Sequence, residues 1–182
     1  MRILFYIPVL LITFLSFSGC EKDDSLDPRP VIVDGQYMRL DIKQDRMDAN
    51  DLDTAFFGGI LTSPGKNVVR YELFVRVQRP NAVPLSEYIL LRTITEFPLD
   101  LKVTVADIEQ AYERENIDIG SVRSGDFIKF NAFSYDASGR RVGYSDLSRT
   151  VQAEAAYKQA YRFNTELSID LTVPEIYNNY QN

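Results

Sequence analysis

The chain has 182 residues, with 26 acidic and 20 basic side chains and a net charge of −6. A surface this acidic argues against nucleic acid as a partner, because phosphates require a basic face, and against electrostatic docking onto anionic lipid. Histidine is absent, which excludes the Ser/His/Asp and Cys/His nucleophile systems, and a single cysteine excludes an internal disulfide.

Residues 1–19 predict a cleaved signal peptide. Arg2 precedes an apolar run that ends at Phe17, and two small residues then precede Cys20. Ser18-Gly19-Cys20 resembles the end of bacterial lipoprotein signal peptides, although Phe17 stands where leucine is usual. The resemblance implies that Cys20 carries the lipid and anchors the protein in the outer membrane. The alternative is an uncleaved span, which needs about twenty apolar residues and basic flanking residues.

Residues 20–34 predict a solvated tether. The charged run Glu21-Lys22-Asp23-Asp24 is followed by Pro28-Arg29-Pro30, which favours a stiff, extended spacer. The charged run resembles the acidic tag that directs lipoproteins to the cell surface in some glycan-degrading diderm bacteria. That resemblance implies a protein facing the cell surface, and the alternative is a plain charged linker on a protein facing the periplasm.

Residues 35–174 predict a single domain built mainly of strands, followed by a flexible C-terminus over 175–182. The paired glycines Gly58 and Gly59 indicate a bulge or bend in the second strand, which we expect to pair with the first. Asp136 to Gly139 predicts a hairpin turn. Alternating or β-rich runs between turn residues predict strands over 37–42, 54–62, 68–78, 88–95, 97–103, 126–135 and 140–150. After a stretch of helical composition over 151–158, residues 160–163 and 167–173 are expected to add to a sheet.

One helix is predicted within this series of strands. Thr104 and Asp107 form a capping-box pattern, and Ile108, Ala111 and Tyr112 follow on one packing face. The helix is expected to end near 115–116. Several short strands with one short helix predict an all-β fold, an immunoglobulin-like β-sandwich with one crossover helix between its sheets.

The order of elements from the capped helix through the run 125–132 to the hairpin is similar to the N-terminal immunoglobulin-like domain of SusE/SusF-type outer-membrane lipoproteins. The resemblance covers about residues 35–150 and rests on pattern. It implies an accessory protein that works beside a TonB-dependent porter and a SusD-like lipoprotein in glycan uptake. Those proteins carry further carbohydrate-binding domains, whereas this sequence ends after one.

Tyrosines are the candidate ligand-binding residues, because tryptophan is absent. Tyr88, Tyr135 and Tyr144 are predicted to stack on a sugar ring from an exposed face. The alternative is that they fill sheet edges and corners, as tyrosines in β-sandwiches commonly do.

The acidic stretch from Asp45 to Asp53 offers oxygen ligands for calcium, but its spacing fails the EF-hand rule, with Leu52 where a ligand should stand. The competing interpretation is an acidic loop kept solvated by its charge. A carboxylate pair is the remaining route to catalysis, and it would need two acids facing each other across a cleft. We therefore predict no catalytic residues, no metal and no cofactor.

The sequence thus predicts a non-catalytic surface lipoprotein that acts as an accessory or glycan-binding component of a nutrient uptake system. The alternative is a protein docking module of the outer membrane that binds no sugar. Exposed tyrosines flanked by Asp or Asn would favour glycan binding, and a contiguous exposed apolar patch would favour docking.

Overall fold

The computed structural model describes residues 36–80, 84 and 86–168. The predicted signal peptide, Cys20, the whole predicted tether (20–34) and the stretch 175–182 lie outside the described residues. The described part consists mostly of strands, as an all-β fold requires. Its elements in chain order are β1 (Arg39–Gln44), β2 (Met47–Asp48), β3 (Phe56–Thr62), β4 (Arg70–Gln78), β5 (Ile89–Ile94), β6 (Leu99–Thr104), α1 (Val105–Arg114), β7 (Phe127–Tyr135), β8 (Arg141–Gly143), α2 (Arg149–Ala153) and β9 (Arg162–Ser168).

The strands form two sheets. One has three strands in the order β1-β3-β6, and the other has the order β2-β9-β7-β4-β5, with β8 also paired to β7. Among these described strands, every pairing is antiparallel except that of β2 with β9. The first and second predicted strands do pair, as β1 with β3, and a bulge between Ile42 and Gln44 lies opposite Gly58 and Gly59.

The apolar residues that alternate along the strands form the core between the two sheets. Phe57 of β3 stacks on Phe130 of β7 and on Phe163 of β9, with ring centroids 5.3 and 5.5 Å apart. The alternation of 68–78 puts Val69 on the same face as Tyr71, Leu73, Val75 and Val77. In the structure these four residues of β4 are buried, but Val69 is exposed. Val69 precedes the strand, and its neighbour Val68 is buried in its place.

Helix α1 begins as the sequence predicts. The Thr104 hydroxyl accepts a hydrogen bond from the Asp107 amide, and the Asp107 carboxylate accepts one from the Thr104 amide. Ile108, Ala111 and Tyr112 are buried, and the Tyr112 hydroxyl accepts from the Val77 amide at 2.8 Å. The helix connects β6 of the three-stranded sheet to β7 of the six-stranded sheet.

The predicted strand over 140–150 is wrong beyond its first residues. Within 140–150, the part that forms a strand and pairs with β7 is β8. Helix α2 begins at Arg149, so the described part contains more than one helix. Polar side chains redirect the backbone here. The Gly143 amide donates to the Asp146 carboxylate at 2.7 Å, and the Ser148 hydroxyl caps α2. The final sheet segments were expected over 160–163 and 167–173. In the described residues one strand, β9, runs from Arg162 to Ser168 and includes parts of both.

No helix within residues 36–80, 84 and 86–168 has the length and apolarity needed to cross a membrane.

Candidate functional site

Two of the three predicted tyrosines line one cavity. Tyr88, just before β5, and Tyr144, just after β8, both border a concavity of about 690 Å³. Strands β4, β7 and β9 supply Arg76, Lys129 and Asn164 to the same cavity. These three side chains alternate with buried neighbours, so they lie on the outer face of the six-stranded sheet.

Strand register places the polar side chains of this cavity side by side. Arg76 pairs directly with Lys129, and Lys129 pairs directly with Asn164 on the other side. Directly paired residues of antiparallel strands have Cβ atoms about 5 Å apart and project from the same face. The cavity therefore has a continuous row of two cations and an amide across three strands.

Each tyrosine of the cavity is in contact with an arginine. The Arg76 guanidinium carbon lies 4.5 Å from the Tyr88 ring centroid, and that of Arg162 lies 4.2 Å from the Tyr144 ring centroid. A guanidinium over an aromatic face is an attractive cation–π contact. These rings therefore hold arginines in place, and ring stacking with a ligand is restricted to whatever surface the guanidinium leaves open.

Two glutamines of the cavity wall have structural roles. The Gln152 amide donates to the backbone carbonyls of Tyr144 and Leu147, at 3.0 and 2.9 Å. The Gln159 side-chain oxygen accepts from the Tyr161 and Arg162 amides, at 2.8 and 3.0 Å. These hydrogen bonds fix the segments that carry Tyr144 and Arg162.

Tyr135, the third predicted residue, lies outside this cavity. Its hydroxyl donates to Glu72 at 2.8 Å, and the Arg70 guanidinium carbon lies 4.0 Å from its ring centroid. Burial, followed by the adjacent Glu72 carboxylate, raises the pKa of Tyr135. These contacts engage the hydroxyl and the ring of Tyr135 on the outer face of the six-stranded sheet.

Sequence reasoning missed the cationic residues of the cavity. The alternation in 68–78 places Arg76 on the outer face, but a one-strand pattern does not show which residues of other strands lie beside it. The available signal was the basic character of Arg76, Lys129 and Arg162, which alternate with apolar residues on three predicted sheet segments of an acidic chain.

The acidic stretch Asp45 to Asp53 uses its carboxylates for local turns. Asp48 accepts from the Asn50 amide at 2.8 Å, and Asp51 accepts from the Thr54 hydroxyl at 2.7 Å. Met47, within the stretch, is fully buried and pairs with β9. In the described part of the chain, no three acidic side chains converge in a group that could hold a metal ion.

A second cavity, of about 640 Å³, lies beside α1 and the loop that follows it. Two of its carboxylates, Glu109 and Asp118, accept hydrogen bonds from the backbone amides of Val122 and Gly120, at 3.1 and 2.8 Å. The two acids therefore hold the loop that follows α1.

Comparison with protein-family models, with curated proteins and with solved structures found no match to this chain.

Proposed function

We propose that this protein is a non-catalytic glycan-binding lipoprotein of the outer membrane, attached through a lipid on Cys20 and facing the cell surface. It would serve as an accessory component of a nutrient uptake system, beside a TonB-dependent porter and a SusD-like lipoprotein. The fold we propose is an immunoglobulin-like β-sandwich with α1 as the crossover between the sheets. The two-sheet arrangement joined by Phe57, Phe130 and Phe163 supports this assignment.

The observation that carries the proposal is the cavity shared by Tyr88 and Tyr144. It combines aromatic rings with polar side chains that can donate to hydroxyls, namely Lys129 and Asn164. Sugar sites need both, because a pyranose has apolar ring faces and a rim of hydroxyl groups. A volume of about 690 Å³ is within the usual range for small-ligand sites.

A panel of immobilised polysaccharides tests this proposal. The full chain, purified in detergent, should be retained by at least one polysaccharide, and retention should fall about tenfold or more in Tyr88→Ala and Tyr144→Ala. Tyr135→Ala is the matched control, since it removes the same side chain from the same sheet surface outside the cavity. Equal loss in all three variants, or no retention of the parent, would contradict the proposal.

A second candidate is a docking module that binds no sugar. It is favoured by Leu90, which is 38% exposed and pairs with Phe74, whose ring meets Phe133 edge-on at 5.8 Å. Affinity purification from solubilised outer membranes, with mass spectrometry, separates the two functions. Recovery of a porter that is lost in Leu90→Asp but kept in Tyr88→Ala would support docking.

A further inference from the structure

The cavity lined by Tyr88 and Tyr144 is cationic, although the chain as a whole is acidic. Arg76, Lys129 and Arg162 line it, and no carboxylate is among its lining residues. Glu166 is two residues beyond Asn164 on β9, and Glu87 is next to Tyr88, but neither lines the cavity. The chain has a net charge of −6, so a cavity lined by three basic side chains and no acidic one differs from the composition of the chain and calls for an explanation.

In the described part of the chain, the charged ends of these three side chains have no acidic partner, although the two arginines contact tyrosine rings. Within the described residues, Arg76, Lys129 and Arg162 make none of the ion pairs with acids that other basic residues make. Arg76 Nε is buried and has no hydrogen-bond partner in the described part of the chain. A buried donor without a partner costs free energy, and no acceptor in the described part of the chain offsets that cost for Arg76.

The arrangement of the two cations on β4 and β7 is electrostatically unfavourable in itself. Arg76 and Lys129 face each other in register on adjacent strands, and like charges at directly opposed positions destabilise a sheet. An anion between them removes the repulsion. The Tyr88 and Tyr144 rings hold the two arginines in place before a ligand binds. Hydrogen bonds of Gln152 and Gln159 fix the segments that carry Tyr144 and Arg162. Binding therefore costs little conformational entropy in these side chains.

We propose that this cavity binds the anionic group of an acidic saccharide, a uronate carboxylate or a sulfate ester, between Arg76, Lys129 and Arg162. The inference rests on the proposed glycan-binding function and specifies its ligand. The planar guanidinium of Arg76 suits the paired oxygens of either group, and Lys129 supplies a point charge. Asn164, beside Lys129, is placed to contact a neighbouring sugar hydroxyl.

Titration calorimetry of the full chain in detergent tests the inference with three probes of equal length: an oligogalacturonate, a sulfated galactan oligosaccharide and a neutral galactan oligosaccharide. At least one acidic probe should bind about tenfold or more tightly than the neutral probe, and its affinity should fall as sodium chloride rises. The two acidic probes separate carboxylate from sulfate recognition.

Variants locate the site. Arg76→Gln and Lys129→Gln should each weaken binding of the acidic probe about tenfold or more, whereas Arg140→Gln should not. Arg140 is exposed, lies in the 136–140 turn and gives the same change in charge. Because each cavity variant removes a like-charge pair, neither should lower the melting temperature by more than a few degrees, which separates lost binding from lost folding.

The outcomes distinguish the two proposals. Neutral and acidic probes that bind equally, with no effect of Arg76→Gln, would overturn this inference and leave the glycan-binding function standing. Inorganic sulfate that binds as tightly as the sulfated oligosaccharide would overturn both, since the sugar would then contribute nothing. Failure of all three probes and of a wider polysaccharide panel would also overturn both.

Discussion

Two adjacent glycines in β3 allow the three-stranded sheet to form. A Cβ atom on Gly59 would lie 2.2 Å from the Asp41 carbonyl oxygen, and one on Gly58 would lie 2.3 Å from the Leu101 carbonyl oxygen. The obstacle on both sides is backbone of a paired strand, so no rotamer change can make room. The glycines are therefore required by the close approach of β1 and β6 to β3.

Replacing Gly59 with alanine should destabilise the protein by about 3 kcal/mol, because β1 must shift or its bulge must reorganise. Denaturant unfolding followed by far-UV circular dichroism measures this loss. Asp100→Ala is the control, since Asp100 is exposed on the neighbouring strand β6, and its loss should cost no more than about 0.5 kcal/mol. Equal stability of the two variants would show that β1 can move away from β3 to accommodate the added methyl group at no cost in free energy.

Residue-scale features of this kind could be predicted where the cause lies within a few residues. The glycine pair indicated a bulge or bend in the second strand, and the bulge lies instead in the partner strand β1, opposite the pair. The contact between Arg79 and the fully buried Asp126, at 3.8 Å, could not be predicted. The two residues are far apart in sequence, and only the position of the loop after α1 brings them together.

At the scale of elements, a complete capping box defines the beginning of α1. Thr104 and Asp107 satisfy each other's backbone amides, and the second oxygen of Asp107 accepts from Arg92 of β5 at 3.2 Å. The cap thus starts the helix and also attaches it to the edge strand of the six-stranded sheet.

Thr104→Ala should lower the free energy of unfolding by about 1 kcal/mol, because the Asp107 amide loses its acceptor. Thr104→Ser should stay within a few tenths of a kcal/mol of the parent, since serine keeps the hydroxyl. Urea unfolding of the three proteins under identical conditions provides the comparison. If alanine and serine were equivalent, the methyl group of Thr104 rather than its hydroxyl would be responsible for the stabilisation.

Whether an element could be predicted depended on what determines it. The strands β4 and β7 are set by alternation of buried and exposed residues, which is visible in the sequence, and both lie within their predicted ranges. The segment after β8 is set by hydrogen bonds of Asp146, Ser148 and Gln152 to backbone groups. Such contacts leave no periodic pattern, so the strand predicted over 140–150 was wrong there.

For the molecule as a whole, the order of strands decides which residues form the cavity. Tyr88 and Tyr144 could be selected from the sequence as candidates, but their common location depends on β9, β7, β4 and β5 lying side by side. Arg76, Lys129 and Arg162 come from three of those strands. A pattern along one strand does not show which residues of neighbouring strands lie beside it in the sheet. The cationic character of the site was therefore visible only in the fold.

A cluster of buried tyrosines links the strands to the segment at residues 36–38. The Tyr71 hydroxyl donates to the Ala160 carbonyl and that of Tyr161 to the Gln36 carbonyl, while Ser134 lies 2.9 Å from the Tyr161 hydroxyl. Burial raises the pKa of Tyr161 to about 12 and that of Tyr71 well above its usual value of 10. The native state therefore keeps both phenols protonated at a pH where the unfolded chain releases their protons.

This difference in pKa makes the whole fold sensitive to alkali. The stabilisation is complete below pH 10, where both states hold the proton, and it is lost as the pH rises from 10 towards 12. Tyr161 alone should contribute a loss of about 1.4 kcal/mol per pH unit in this window. Guanidinium unfolding of the parent and of Tyr161→Phe at pH 8, 10 and 11 measures it.

The variant isolates this contribution except at Tyr71, whose pKa is raised first by burial and then by the neighbouring Tyr161. At pH 8, Tyr161→Phe should be less stable by about 1 kcal/mol, since the Gln36 carbonyl and Ser134 lose a partner. Above pH 10 the parent should lose stability faster than the variant, so that the gap closes and then reverses. Parallel curves from pH 8 to 11 would mean that the Tyr161 phenol ionises as readily in the native protein as in the unfolded chain, and that the cluster is open to solvent.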